Sequence, residues 1–267
     1  MHRDMNRKRG KGMICEITST NNPIIKYACS LSRSRSRTEN MQHFIEGDKL
    51  VREAKESGVR ISHLFADSIC EADEYEGVSE RVYLVPRHIL EKICESRTPQ
   101  HICAVAYTPE NDGEPFSDGA GFIVALDTVQ DPGNVGTIIR TSDAFGASSV
   151  ILGPGCADPF SSKVLRSSMG SVYHLPIFQP DDLPRSLSRL KAQGFRLICG
   201  HLKGSSELPL NLSRAVIVIG NEGNGVSDTV AELCELYRIP MKGRAESLNA
   251  SVAASILIYQ ISQQINL

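Results

Sequence analysis

Three short segments of this chain concentrate glycine, amide and charged side chains. The first runs Asp127-Thr128-Val129-Gln130-Asp131-Pro132-Gly133-Asn134-Val135-Gly136 and on to Arg140. The second is Gly220-Asn221-Glu222-Gly223-Asn224-Gly225, directly after the apolar run Val216–Ile219. The third runs Ile239-Pro240-Met241-Lys242-Gly243-Arg244-Ala245-Glu246-Ser247-Leu248-Asn249-Ala250-Ser251. Glycines let backbone approach a ligand closely. Small polar residues at a helix start, such as Ser247, Asn249 and Ser251, offer a site for electron-rich groups. An arginine can grip a phosphate or steady a developing oxyanion. Taken singly, each segment also reads as plain structure: an N-cap with a surface arginine, a tight turn, and capping by Ser247. The glycine spacing matches neither the phosphate-binding P-loop nor the dinucleotide GxGxxG.

The elements around these segments alternate between strand and helix. Phe122–Leu126, Ser149–Leu152, Phe195–Cys199 and Val216–Ile219 are apolar runs that suit strands buried on both faces. Asn134–Phe145 carries helical spacing and stops at Gly146. Ser247–Ile261 reads as a C-terminal helix. This order predicts a parallel sheet with helices on both faces, and all three segments then fall at carboxyl ends of strands, where such sheets bind ligands. Residues 14–108 predict a smaller α/β domain. Helices are expected from Pro23, over Lys49–Glu56 and after Pro86; strands are expected at His43–Gly47, Ile61–Ala66, Arg81–Val85 and Ile102–Ala106. Residues 109–119 are polar and rich in turn formers and read as a linker. Residues 120–267 form the second domain, and residues 1–13 read as a disordered basic tail that includes a second possible start at Met13.

The net charge of −2 conceals clustered cations. Arg3, Arg7, Lys8, Arg9 and Lys11 stand against one Asp4, and Arg33, Arg35 and Arg37 alternate with serines. Such clusters give phosphate affinity that a total charge hides, although a solvated loop reads equally well from composition alone. Eight cysteines without a CxxC pair point to free thiols in a reducing cytoplasm and offer no zinc site. No run reaches the ~18 apolar residues of a membrane span, and the basic N-terminus does not resemble a secretory signal.

Together, Asn134-Val135-Gly136 with Arg140 and Phe145-Gly146, then Gly220-Asn221-Glu222-Gly223, then Pro240-Met241 through Glu246-Ser247-Leu248-Asn249, closely resemble the three motifs of the SpoU/TrmH family of RNA ribose 2′-O-methyltransferases, within the SPOUT superfamily. The resemblance spans about residues 120–267, while residues 14–108 more loosely resemble a ribosomal-protein-like substrate-binding domain. It implies a deep trefoil knot, a homodimer with the site at the subunit interface, and S-adenosylmethionine as cofactor. Cofactor contacts would come from Gly200, Gly220, Ile239, Met241 and Leu248, and no metal is implied. The reaction would fall to Arg140, Asn134, Glu222, Ser247 and Asn249. A guanidinium with a pKa above ~12 is a poor proton acceptor. Arg140 is therefore expected to grip phosphate and steady the oxyanion while a phosphate oxygen or water takes the proton. Arg33, Arg35 and Arg37 are expected to contact RNA phosphates. The two-domain layout favours ribosomal RNA, most simply of the large subunit. A tRNA ribose and a catalytically silent relative in ribosome assembly are the alternatives.

Overall fold

The computed structural model describes residues 7–9, 12–69, 75, 77–111, 115, 121–208 and 212–265. Most of the expected linker, residues 1–6, 10 and 11 of the expected tail and Cys70 lie outside them. The chain divides into two compact units. One holds residues 1–110 together with Phe160–Tyr173; the other holds Asn111–Pro159 and His174–Leu267.

The first unit is built on a six-stranded mixed sheet of order β1-β2-β5-β4-β6-β3. Its strands are β1 (Arg7–Arg9), β2 (Gly12–Glu16), β3 (Gln42–Glu46), β4 (Ile61–Ala66), β5 (Ser79–Leu84) and β6 (Ile102–Tyr107). The helices are α1 (Pro23–Ser30), α2 (Ser34–Asn40), α3 (Asp48–Glu56) and α4 (Arg87–Ile93). Two expectations are corrected here. Within residues 1–13, read as a disordered tail, Arg7–Arg9 and Gly12–Met13 lie in strands, and Arg7–Arg9 pairs antiparallel with Gly12–Ile14. The serine–arginine run, for which a solvated loop read as well as a phosphate-binding cluster, leads through the N-cap Arg33 into helix α2. It lacks apolar periodicity because its anchor is Arg37, whose stem is buried and whose Nη1 donates to the carbonyls of Leu31 (2.8 Å) and Ser32 (3.0 Å). A charged side chain can be buried when its donors are satisfied.

The segment Phe160–Tyr173, carrying α6 (Ser162–Ser168) and a short 3-10 turn, packs within this first unit although it lies far along the chain. Its anchor is His43, fully buried on β3. The imidazole lies against Phe160 at 4.8 Å between centroids, and its Nε2 shares a 2.8 Å hydrogen bond with the Tyr173 hydroxyl. Burial first, and Arg37 second, push the His43 pKa down to about 3.

The second unit is a wholly parallel six-stranded sheet of order β12-β10-β11-β7-β8-β9. Its strands are β7 (Gly121–Asp127), β8 (Ser149–Leu152), β9 (Ile177–Phe178), β10 (Arg196–Ser205), β11 (Arg214–Gly220) and β12 (Glu235–Tyr237). β7 is buried at every position and the core of β11 is likewise apolar, as a strand covered on both faces requires. The helices are α5 (Pro132–Ala144), α7 (Leu183–Ala192), α8 (Asp228–Ala231) and α9 (Ala250–Ser262). α5 starts two residues before Asn134, with Pro132 in its first turn and the Asp131 side chain accepting from Asn134 N at 2.9 Å. α9 packs against α5, and Thr141 Oγ1 lies 3.3 Å from Ser255 Oγ. No helix among the described residues is long and apolar enough to cross a membrane.

The buried His43 gives the first unit a defined acid limb. An unfolded histidine titrates near ~6.5, so between there and pH 3 the unfolded chain binds a proton that the folded chain does not. Stability therefore falls as pH drops through that window. Thermal melting of His43→Gln against pH is expected to start from a lower melting temperature at pH 7 and to decline less steeply below pH 6.5 than the parent; parallel slopes would contradict the assignment.

Candidate active site

At the carboxyl ends of β10, β11 and β12 a cavity of about 400 Å³ opens. That volume lies within the ~300–1,000 Å³ of small-molecule sites. Gly200, Gly220, Ile239, Met241 and Leu248, the five expected cofactor contacts, all line it, as do Glu222 and Ser247. The walls mix apolar side chains with exposed backbone from two glycine-containing turns. A flat heteroaromatic base and an aliphatic chain fit such walls, so the lining is compatible with S-adenosylmethionine.

The turn after β11 is closed by reciprocal backbone bonds, Asn221 N to Gly225 O at 2.8 Å and Gly225 N to Asn221 O at 2.9 Å. The closure is so tight that a Cβ on Gly220 would stand 2.2 Å from the Gly225 carbonyl carbon, which excludes any other residue. Asn221 stiffens the turn from inside: its Oδ1 accepts from Gly223 N at 2.8 Å and Asn224 N at 3.2 Å. Its Nδ2 reaches across to β7 and donates to Thr128 O at 2.9 Å. Thr128 sits at φ +56°, a left-handed conformation that is rare for a β-branched residue. Next to it, the buried Asp127 carboxylate accepts from both the backbone N–H (2.8 Å) and the hydroxyl (2.7 Å) of Ser227. The ends of two adjacent strands are thus tied by three bonds.

A second set of bonds joins the three segments. Asn134 Nδ2 donates to Glu222 Oε1 at 2.8 Å, and Asn249 Nδ2 donates to Asn134 Oδ1 at 3.1 Å. Asn249 Oδ1 then caps α9, accepting from Ser251 N (2.9 Å), Ser251 Oγ (2.6 Å) and Val252 N (3.3 Å). The cap is therefore Asn249 and not Ser247, which stands two residues before it, exposed at the cavity.

Arg140 does not join this network. It is exposed on α5, and no hydrogen bond or ion pair of its side chain is seen among the described residues. Asn134 is buried on another side of the same helix. Six residues separate the two, and at 3.6 per turn that leaves them on different faces. In the first unit Arg33 and Arg35 are exposed, the latter paired with Glu39 at 2.7 Å, while Arg37 faces inward. Of the three arginines expected to contact RNA phosphates, Arg37 is buried and occupied by backbone carbonyls, and so cannot serve as expected. Burial pushes Cys156 and Cys234 up to about 11 and Cys199 higher still.

Asp127, Thr128, Asn221 and Ser227 were not singled out from the sequence. The first two lie within the first segment and Asn221 within the second, but their roles come from pairing between adjacent strands. Also unanticipated at the cavity are His201, Leu202, Lys203 and Arg238.

The SpoU rRNA Methylase family profile matches residues 121–259, and that of the MRM3-like substrate binding domain matches residues 22–104. The chain is 38% identical over 251 residues to the 23S rRNA (guanosine(2553)-2′-O)-methyltransferase RlmP of Bacillus subtilis, covering 92% of this chain and 98% of the relative. Among solved structures, an AdoMet-bound rRNA methyltransferase from Sinorhizobium meliloti superposes with a TM-score of 0.86 at 32% identity, over 95% of this chain and 99% of that one. The SpoU methyltransferase AviRb of Streptomyces viridochromogenes, in complex with AdoMet, gives 0.83 at 26% identity, over 91% and 98%. With a profile match over more than half its length and a relative matched almost end to end, the chain belongs to the SpoU rRNA methylase family.

Proposed function

We propose that this enzyme transfers a methyl group from S-adenosylmethionine to a ribose 2′-hydroxyl of large-subunit ribosomal RNA. The observation that carries the reading is that one cavity gathers all five expected cofactor residues beside the Glu222–Asn134–Asn249 chain. The cofactor supplies a methyl activated by a sulfonium centre. The protein's part is to hold, to orient and to manage one proton. Gly200 and Gly220 offer backbone edges, and Ile239, Met241 and Leu248 enclose apolar surface. Ser247 and the Asn134–Asn249 pair orient the acceptor ribose. Correct alignment alone is worth up to ~7–11 kcal/mol in favourable reactions. Arg140, exposed and unpaired among the described residues, binds the phosphate next to that ribose and steadies the negative charge growing on the oxygen. A phosphate oxygen or water accepts the proton. The name of the B. subtilis relative supports ribosomal RNA as the substrate class. The MRM3-like unit, with Arg33 and Arg35, holds the RNA through backbone and shape.

The exposed apolar side chains on α9 and at the C-cap of its partner α5 support a homodimer. Phe145, Val252 and Tyr259 are 37%, 47% and 52% exposed, and the Phe145 and Tyr259 rings meet edge to face. A second copy would cover them. The parallel sheet is compatible with the trefoil knot of the family, and ribosomal RNA as substrate supports a cytoplasmic location.

Labelled S-adenosylmethionine, incubated with the protein and either unmodified rRNA or tRNA, is expected to yield one mapped 2′-O-methyl in 23S RNA. Label in tRNA alone would move the substrate, and cofactor binding without any product would favour a silent relative. In the same assay Arg140→Lys is expected to lose at least ~10² in turnover, since an ammonium lacks the bidentate fork; near-full turnover would remove that role. Sedimentation equilibrium is expected to give a dimer, weakened by Phe145→Ser with Tyr259→Ser; a monomeric parent protein would overturn the assembly.

A further inference from the structure

We infer that a lip on the cavity, built from Lys203 and Arg238 with Leu202 beside them, is the catalytic unit's own grip on RNA, holding the phosphodiester strand that flanks the acceptor ribose. The inference rests on the reading of the cavity as the methyl-donor site and adds to it a substrate contact outside the three motifs.

The lip is a formed element. Along the β10–β12 pairing, Gly200 and Ser205 both stand opposite Tyr237, so residues 201–204 bulge out of the ladder. Gly204 closes the bulge against β12: a Cβ there would lie 2.5 Å from the Leu236 carbonyl carbon. Two further bonds fix it, His201 Nδ1 accepting from Lys203 N at 3.1 Å and Ser205 O accepting from Arg238 N at 2.8 Å. A bulge of this kind re-aims side chains next to a site. Here it sets Leu202 59% exposed at the cavity mouth, with Lys203 and Arg238 also exposed on the lining. No hydrogen bond or ion pair of the Lys203 or Arg238 side chain is seen among the described residues.

Charge selects the occupant. S-adenosylmethionine is cationic at neutral pH, with a sulfonium and an ammonium against one carboxylate, so two cations at the mouth do not favour it. The lining carboxylate of Glu222 is already engaged by Asn134. An RNA strand meets all of this: its phosphates pair with the cations, and a sugar or base face covers the leucine.

Binding of an unmodified 23S rRNA transcript, followed by anisotropy across a salt series, tests the lip. Each phosphate contact contributes roughly 0.7–0.9 to the slope of log affinity against log salt. Lys203→Ala and Arg238→Ala are each expected to make the slope shallower by about that amount. Lys203→Arg and Arg238→Lys are expected to keep it. S-adenosylmethionine affinity, measured by calorimetry, is expected to stay within about twofold of the parent in all four, and Leu202→Ser is expected to raise the KM for RNA without changing the slope. Unchanged slopes in both alanine variants, or lost cofactor affinity with slopes intact, would overturn the inference. Methyl transfer by the parent protein to the same transcript separates the two readings. Product with unchanged slopes removes the lip alone, whereas changed slopes without product remove the methyl-transfer reading.

Discussion

The site depends on one amide making two opposite bonds. Asn134 must donate to Glu222 and accept from Asn249 at once, and only a carboxamide offers both an NH₂ and a carbonyl on so short a stem. An aspartate there would set a carboxylate against the Glu222 carboxylate, and an alanine would remove both the donor to Glu222 and the acceptor for Asn249. Through this residue, segments 88 and 115 residues apart in sequence become one surface. Asn249, whose side-chain oxygen is spent on the α9 cap while its Nδ2 bonds Asn134, passes the constraint on to the helix that carries Ala250 and Ala253 along the cavity.

The opposite side of the site is held by the strand-end ties. A wholly parallel sheet leaves each strand to stop at the same edge, and that edge needs partners. The Asp127 carboxylate and the Asn221 amide supply them across β7 and β11. The left-handed Thr128 costs on the order of 1–3 kcal/mol, a strain persisting only where surrounding bonds outweigh it, and here its own carbonyl takes one of them. Gly220 belongs to the same logic, since the turn closes too tightly for a side chain. Rigid turns on both sides leave the cavity open without apolar side chains collapsing into it.

Much of this was legible in the sequence because burial leaves a period. Apolar runs marked β7, β8 and the core of β11, and the expected helix over Asn134–Phe145 differs from α5 by two residues at its start, where the Asp131 cap and Pro132 carry the signal. The glycine and amide clusters marked where ligands could approach, and the five cofactor positions implied by the family resemblance share one cavity. What escaped had no local signature. Helix α2 is anchored by an arginine instead of an apolar stripe, so composition could not tell it from a solvated loop. The Asp127–Ser227 tie spans 100 residues and follows only from strand order. The segment Phe160–Tyr173 joins the first unit through His43, a pairing that no spacing rule reveals. The lip at 201–204 depends on a register shift between β10 and β12, which alternation cannot show.

The central claim is that Asn134 and Glu222 act as one unit in shaping the cofactor cavity. A double-mutant cycle on S-adenosylmethionine affinity, with Asn134→Ala, Glu222→Ala and both together, measures it directly. The account predicts strong non-additivity: each single variant weakens binding, and the second substitution adds little to the first, with a coupling of roughly 1–3 kcal/mol. Fully additive losses, or single variants that bind the cofactor as the parent does, would contradict it.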